Sequence, residues 1–208
     1  MTLRGLYAIT PEDLARAGVM ARVAAAVGSG ALCALQYRRK AAGATQKLSE
    51  ARELAALCRR HGVPLIVNDD LELALQVGAD GLHLGREDGD LAGARARLPG
   101  RLLGASCYDQ PGLARRAIAL GADYVAFGSV FPSATKPAAV RAPLALFALP
   151  LGVPKVAIGG ITLANAAQAV AAGADCVAVI TDLFEAPDVA QRAREFAKIF
   201  QPGPPPRP

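Results

Sequence analysis

Eight short apolar runs, each followed by a helical pattern, and a GAD repeat on every second run predict an α/β protein, a single-domain (β/α)8 TIM barrel. The runs are continuous rather than alternating, as expected for parallel strands covered on both faces. Of the 208 residues, 52% are hydrophobic and 20% charged, which suits a large core and excludes a disordered chain. An open doubly wound sheet is the alternative. The missing G-x-G-x-x-G fingerprint and the even count of units favour closure. The barrel is assigned to residues 1–200, and the proline-dominated 201–208 is expected to be a disordered tail.

In chain order the strands are read at 5–10, 31–37, 64–68, 81–84, 102–106, 124–128, 155–158 and 176–180. Pro11, with Glu12 and Asp13 behind it, predicts a helix start, because proline suits the first turn and acidic side chains favour the positive end of the helix dipole. A helical run from Ser49 is stopped by Gly62. Thr162 is placed to cap a helix through Asn165 to Ala172. The repeat reads GADGLHLG at 78–85, GADYVAFG at 121–128 and GADCVAVI at 173–180. Each copy is a helix ending on Gly, a tight turn with Asp, then a strand.

The formal charge of +5 points to anionic partners, but there is no Trp, aromatics are 5%, and the arginines are dispersed. A nucleic-acid surface needs a basic stripe with stacking platforms, so small phosphorylated substrates fit better. No apolar run reaches the ~18 residues of a membrane span, and the first residues lack a signal-peptide core. The expectation is a cytoplasmic protein without a membrane partner. Cys33, Cys58, Cys107 and Cys176 lack the clustering of a zinc site or disulfide framework and are expected to be reduced thiols. Nothing in the sequence sets an oligomeric state.

Barrel chemistry lies at the C-terminal ends of the strands. After the second strand, Gln36, Arg38 and Lys40 alternate by two, so an extended segment points all three one way. Two cations and an amide suit an anionic leaving group; a solvated basic turn is the alternative. Asp69 and Asp88, at the ends of neighbouring strands, can meet across the mouth. Two carboxylates beside phosphate-binding cations suit Mg²⁺, which takes oxygen ligands and keeps several waters. Turn capping would also explain a lone Asp. Gly159-Gly160 ahead of Thr162 lets backbone N–H groups approach a phosphate, unless the glycines serve packing alone. Ser106 ends the fifth strand, Ile180-Thr181 the eighth, and Ser133, Thr135 and Lys136 follow the sixth. His83 reads as a core histidine and His61 as a structural residue at a helix end.

The motifs QYRRK, VNDD, GLHLGRED, GASCYD, FGSVFPSATKP and AIGGI, in this order, resemble those of the thiamine-phosphate synthase family. Similar stretches cover nearly the whole chain except the proline-rich end. The resemblance implies a transferase joining an aminopyrimidine methyl diphosphate to a thiazole phosphate carboxylate, giving thiamine phosphate, pyrophosphate and CO₂. It implies that Gln36, Arg38, Lys40, Asn68, Ser106 and Lys136 hold the pyrimidine diphosphate, with Lys136, Arg38, Lys40 and Ser106 the catalytic set. By the same resemblance Asp69 and Asp88 bind Mg²⁺, while Ser133, Thr135, Gly160, Ile180 and Thr181 hold the thiazole phosphate. Ser133 stands where the family often has Thr and keeps the hydroxyl. Tyr108 stands where many members carry His. The related thiazole tautomerases resemble this pattern but use a histidine there, so Tyr108 disfavours an isomerase. A non-catalytic phosphate-binding barrel is the other alternative.

Overall fold

Eight parallel strands, hydrogen-bonded in chain order, close into a barrel in the computed structural model, which describes residues 3–132 and 140–201. They are β1 (Gly5–Ile9), β2 (Leu32–Tyr37), β3 (Leu65–Asn68), β4 (Gly81–Leu84), β5 (Leu102–Tyr108), β6 (Tyr124–Gly128), β7 (Lys155–Ile158) and β8 (Cys176–Val179). Pairing of β1 with β8 shuts the ring. The helices are α1 (Val19–Gly28), α2 (Ala44–His61), α3 (Leu71–Val77), α4 (Leu91–Arg97), α5 (Pro111–Ala119), α6 (Ala166–Ala171), α7 (Thr181–Phe184) and α8 (Val189–Lys198). The expectations placed on Ser133, Thr135, Lys136 and 202–208 lie outside the described residues.

Strand periodicity sorts the side chains into two cores. Leu35, Leu65, Val67, Leu82, Leu103, Val125, Phe127 and Val177 face outward and pack under the helices. Tyr7, Ile9, Ala34, Ile66, Tyr124, Ala126, Val156, Cys176 and Ala178 fill the barrel. The GAD repeat works at the floor, away from the mouth. Gly78, Gly121 and Gly173 turn the chain at φ 64°, 97° and 103°, where a side chain would be strained. The following Asp80, Asp123 and Asp175 carboxylates accept from the Leu65, Leu103 and Lys155 N–H groups at 2.9, 2.8 and 2.9 Å. Each Asp thus ties an even strand to the start of the preceding odd one. That explains the period of two.

Three expectations are corrected. Pro11 does not open a helix: α1 starts at Val19, after Gly18 at φ 82°. Residues 11–18 form turns because Glu12 is drawn onto the loop after β2, its carboxylate accepting from the Lys40 and Ala41 N–H groups. Thr162 does not cap α6. Asn165 holds the N-cap position, and its side chain accepts from the Thr162 N–H at 2.8 Å and donates to the Gly160 carbonyl at 2.9 Å. Between β6 and β7 the described residues contain a 3₁₀ turn, Leu144–Ala148, rather than an α-helix. Pro143 and Pro150 leave no room for a longer one. Strand ends shift by small amounts: Thr10, Ala31, Pro64 and Ile180 lie just outside, and β5 runs on to Tyr108.

All four cysteines are free thiols. Cys33 and Cys176, distant in sequence, meet at 3.8 Å between sulfurs, flanking Gly5. Among the described residues, no helix is long and apolar enough to cross a membrane.

Candidate active site

A chain of hydrogen bonds crosses the barrel interior directly beneath the mouth. Gln36 Nε2 donates to the Tyr7 hydroxyl at 3.0 Å. The Tyr7 and Tyr124 hydroxyls are 2.9 Å apart, and the Tyr124 hydroxyl is 3.1 Å from His83 Nδ1. His83 Nε2 lies 2.9 Å from Ser106 Oγ. Burial lowers the His83 pKa to about 4, so the ring is neutral near neutral pH. The direction of each bond follows. Tyr7 accepts from Gln36, so its single proton goes to Tyr124; Tyr124 then donates to Nδ1, and the Nε2 proton goes to Ser106. Ser106 therefore keeps its own hydroxyl proton to donate into the mouth, and the Gln36 side-chain oxygen remains an acceptor. Burial raises the pKa of both tyrosines, which keeps them protonated.

The charged part of the site stands on the ends of β2, β3 and β4. Lys40 Nζ is 3.2 Å from Asp69 Oδ2. Asp69 sits in the left-handed region at φ 64°, its N–H bonded to the His83 carbonyl at 2.9 Å. Such a backbone costs of order 1–3 kcal/mol and is tolerated where the fold needs the side chain aimed. Burial and the neighbouring Asp88 carboxylate raise the Asp69 pKa, against the opposing pull of Lys40. Arg38 Nη1 lies 3.3 Å from Glu12 Oε2. Arg39, between Arg38 and Lys40 in the chain, reaches Glu50, with its Nε 3.5 Å from Oε2. Lys40, Asn68, Asp69 and Asp70 help line a cleft of about 420 Å³.

Glycine makes two of these approaches possible. A Cβ on Gly85 would fall 2.2 Å from Asp88 Oδ2, so the β4 loop can bring Asp88 inward only over a glycine. Cβ atoms on Gly159 and Gly160 would fall 2.2 Å from Ser129 Oγ and 2.3 Å from the Pro132 carbonyl oxygen. Close packing accounts for both glycines, and Gly160 lies at the mouth as expected. Ile180 precedes Thr181, the first residue of α7, at the end of β8. Tyr108 ends β5 at φ 55°, exposed, with the Arg86 guanidinium 4.8 Å above its ring.

Gln36, Arg38, Lys40, Asn68, Asp69, Asp88 and Ser106 are gathered on one side of the mouth, with Gly160, Ile180 and Thr181 on the loops after β7 and β8. Sequence reasoning missed Tyr7, Tyr124 and the link from His83 to Ser106. Their strand parity was readable, since Tyr7 and Tyr124 share the inward face of their strands, but their mutual contact depends on the ring being closed.

Residues 6–183 match the sequence model of a family described as thiamine monophosphate synthase. The thiamine-phosphate synthase of Aromatoleum aromaticum is 58% identical over 203 residues, covering 95% of this chain and 97% of that protein. That of Chromobacterium violaceum is 57% identical over 201 residues, with 95% and 97% covered. Among solved structures, the thiamine phosphate pyrophosphorylase of Pyrococcus furiosus matches with a TM-score of 0.84 at 33% identity, covering 96% of each chain.

Proposed function

The chain belongs to the thiamine monophosphate synthase family, and from that membership we propose how its barrel mouth makes thiamine phosphate. It is a transferase that couples an aminopyrimidine methyl diphosphate to a thiazole phosphate. What carries the site assignment is one convergence: Lys40, on the loop after β2, meets Asp69 at 3.2 Å, with the Asp88 carboxylate close enough to act on Asp69.

The aminopyrimidine seats over the interior chain of hydrogen bonds, where the Ser106 hydroxyl donates and the Gln36 oxygen accepts. Asn68 lies beside them at the end of β3. Arg38, Lys40 and Lys136 hold the diphosphate. The carboxylates fit Mg²⁺, because the Asp88 carboxylate adds to the burial that raises the Asp69 pKa, and a cation relieves that repulsion. Mg²⁺ needs only one or two protein carboxylates when substrate phosphates and water complete its shell. That matches a site where, among the described residues, no cluster of three or more His, Cys, Asp or Glu could hold a metal. When bound, Mg²⁺ supplies positive charge to the departing diphosphate oxygens.

The carbon–oxygen bond to the diphosphate breaks with its electron pair on oxygen, and the electron-rich pyrimidine carries the cation left behind. The thiazole nitrogen donates its pair to that carbon, and a carboxylated thiazole then loses CO₂. No protein nucleophile is required, consistent with His83 being neutral and occupied on both ring nitrogens. The protein's work is to stabilise leaving-group charge and hold the nitrogen in line. Ser133, Thr135, Gly160, Ile180 and Thr181 hold the thiazole phosphate. Tyr108 disfavours the isomerase alternative, and retention of both carboxylates and Lys136 disfavours a passive phosphate-binding barrel. Free cysteines support a reducing, cytoplasmic setting.

The test is single-turnover pyrophosphate release at saturating substrates and Mg²⁺. Lys136→Ala should slow it by roughly 10²–10³, the loss of one preorganised donor, with Lys136→Arg restoring part. Asp69→Asn should slow turnover and raise the Mg²⁺ requirement. Undiminished turnover in excess chelator would remove the metal from the mechanism, and equal rates for wild type and Lys136→Ala would remove Lys136.

A further inference from the structure

Arg38 and Lys40 stand on 38–43, a segment with no regular structure between the end of β2 and the start of α2. Two mobile cations on such a segment would bind a diphosphate at the cost of ordering it. The fold supplies that order from the loop after β1. Thr10, buried at the end of that strand, accepts from the Arg38 N–H at 3.0 Å and donates to the Arg38 carbonyl at 3.3 Å. Glu12 then reaches across: Oε1 accepts from the Lys40 and Ala41 N–H groups at 2.7 and 2.8 Å, while Oε2 lies 3.3 Å from Arg38 Nη1. The Glu12 carbonyl accepts from Arg39 Nη1, and Arg39 also reaches Asp13 and Glu50. Among the described residues, Glu12 is the only side chain bonded to the backbone at 40 and 41.

We propose that Glu12 is a positioning residue for diphosphate binding, a strap from the first loop that fixes the backbone of the second and so aims Arg38 and Lys40 together. The inference rests on the assignment of those two cations to the diphosphate. It explains why Pro11–Gly18 is a turn-rich loop although its composition suits a helix start: the carboxylate that would favour a helix dipole is used across the mouth instead. The bond geometry assigns different work to the two carboxylate oxygens. Oε1 holds backbone, a task that an amide oxygen also performs. Oε2 supplies charge beside Arg38, which an amide does not.

That division separates positioning from simple charge competition. Glu12→Ala should lower kcat/KM for the aminopyrimidine diphosphate by about 10- to 100-fold, the scale at which misplaced binding groups act. Most of the change should fall in KM for the diphosphate, with KM for the thiazole phosphate unchanged. Glu12→Gln, which keeps the acceptor, should recover most of the loss. Thermal unfolding should be nearly unchanged in both, because the side chain is partly exposed. If Glu12 merely competed with substrate for Arg38, Glu12→Ala would lower the diphosphate KM; that result overturns the inference, as does Glu12→Gln failing as badly as Glu12→Ala. Arg38→Ala is measured alongside. An impaired Arg38→Ala beside a normal Glu12→Ala removes Glu12 alone, whereas a normal Arg38→Ala removes the underlying cation assignment and the strap with it.

Discussion

His83 lies between the apolar barrel interior and the polar mouth, and its proton placement sets which hydrogen Ser106 can offer. Its pKa falls from 6.5 to about 4 through burial, so between those values an unfolded chain binds a proton that the native chain refuses. The stability this contributes is complete above about pH 6.5 and is lost as pH falls toward 4; at pH 5 the loss is about 2 kcal/mol. Urea unfolding at pH 7 and pH 5 should therefore show wild type losing about 2 kcal/mol more than His83→Gln. Parallel losses would place the acid sensitivity elsewhere. At this scale the sequence pointed to charged candidates and passed over the aromatic hydroxyls. Spacing along one stretch of chain singled out Gln36, Arg38 and Lys40, whereas the Tyr7–Tyr124 bond joins residues 117 positions apart. Local periodicity carries no information about that contact.

The repeated Gly-Ala-Asp turn shows how an element can be legible in a sequence before its purpose is. Its period of two strands marked a paired unit, and the carboxylate bonds from Asp80, Asp123 and Asp175 give the reason. Asp123 also pairs with Arg95 at 2.8 Å, so Asp123→Ala leaves the Leu103 N–H unsatisfied and loses an ion pair. The expected cost is about 1–3 kcal/mol, mostly from the orphaned donor, since a half-exposed pair contributes little. Denaturant midpoints should fall accordingly while turnover stays near wild type, because the turn lies at the floor and the chemistry at the mouth. A loss of turnover with unchanged stability would contradict that separation. The first loop is the opposite case. Pro11, Glu12 and Asp13 have the composition of a helix start, but bonds from Glu12 to the following loop outweigh a preference of a few tenths of a kcal/mol to about 1 kcal/mol.

For the whole molecule, the last helix completes the wall that closes over β1. Phe196 is fully buried on α8, and Ile199 and Phe200 pack against the same core. Residues 202–208 contain only Pro, Gly and one Arg. Truncation after Gln201 should leave the melting temperature and turnover unchanged, whereas truncation after Glu195 should cost more than the 3–5 kcal/mol typical of removing one buried Phe side chain. A drop of several degrees in the first variant would show that the end of the chain docks. By itself the sequence determined the architecture and marked candidate polar residues at the strand ends, because buried parallel strands leave continuous apolar runs and strand ends expose polar residues at readable spacings. Only tertiary structure decided which polar groups bond to one another: the Tyr7–Tyr124–His83–Ser106 chain, the Asp69–Asp88 pairing with Lys40, and the reach of Glu12 onto 40 and 41. Those contacts join different strands and loops, and their geometry exists only once the barrel has closed.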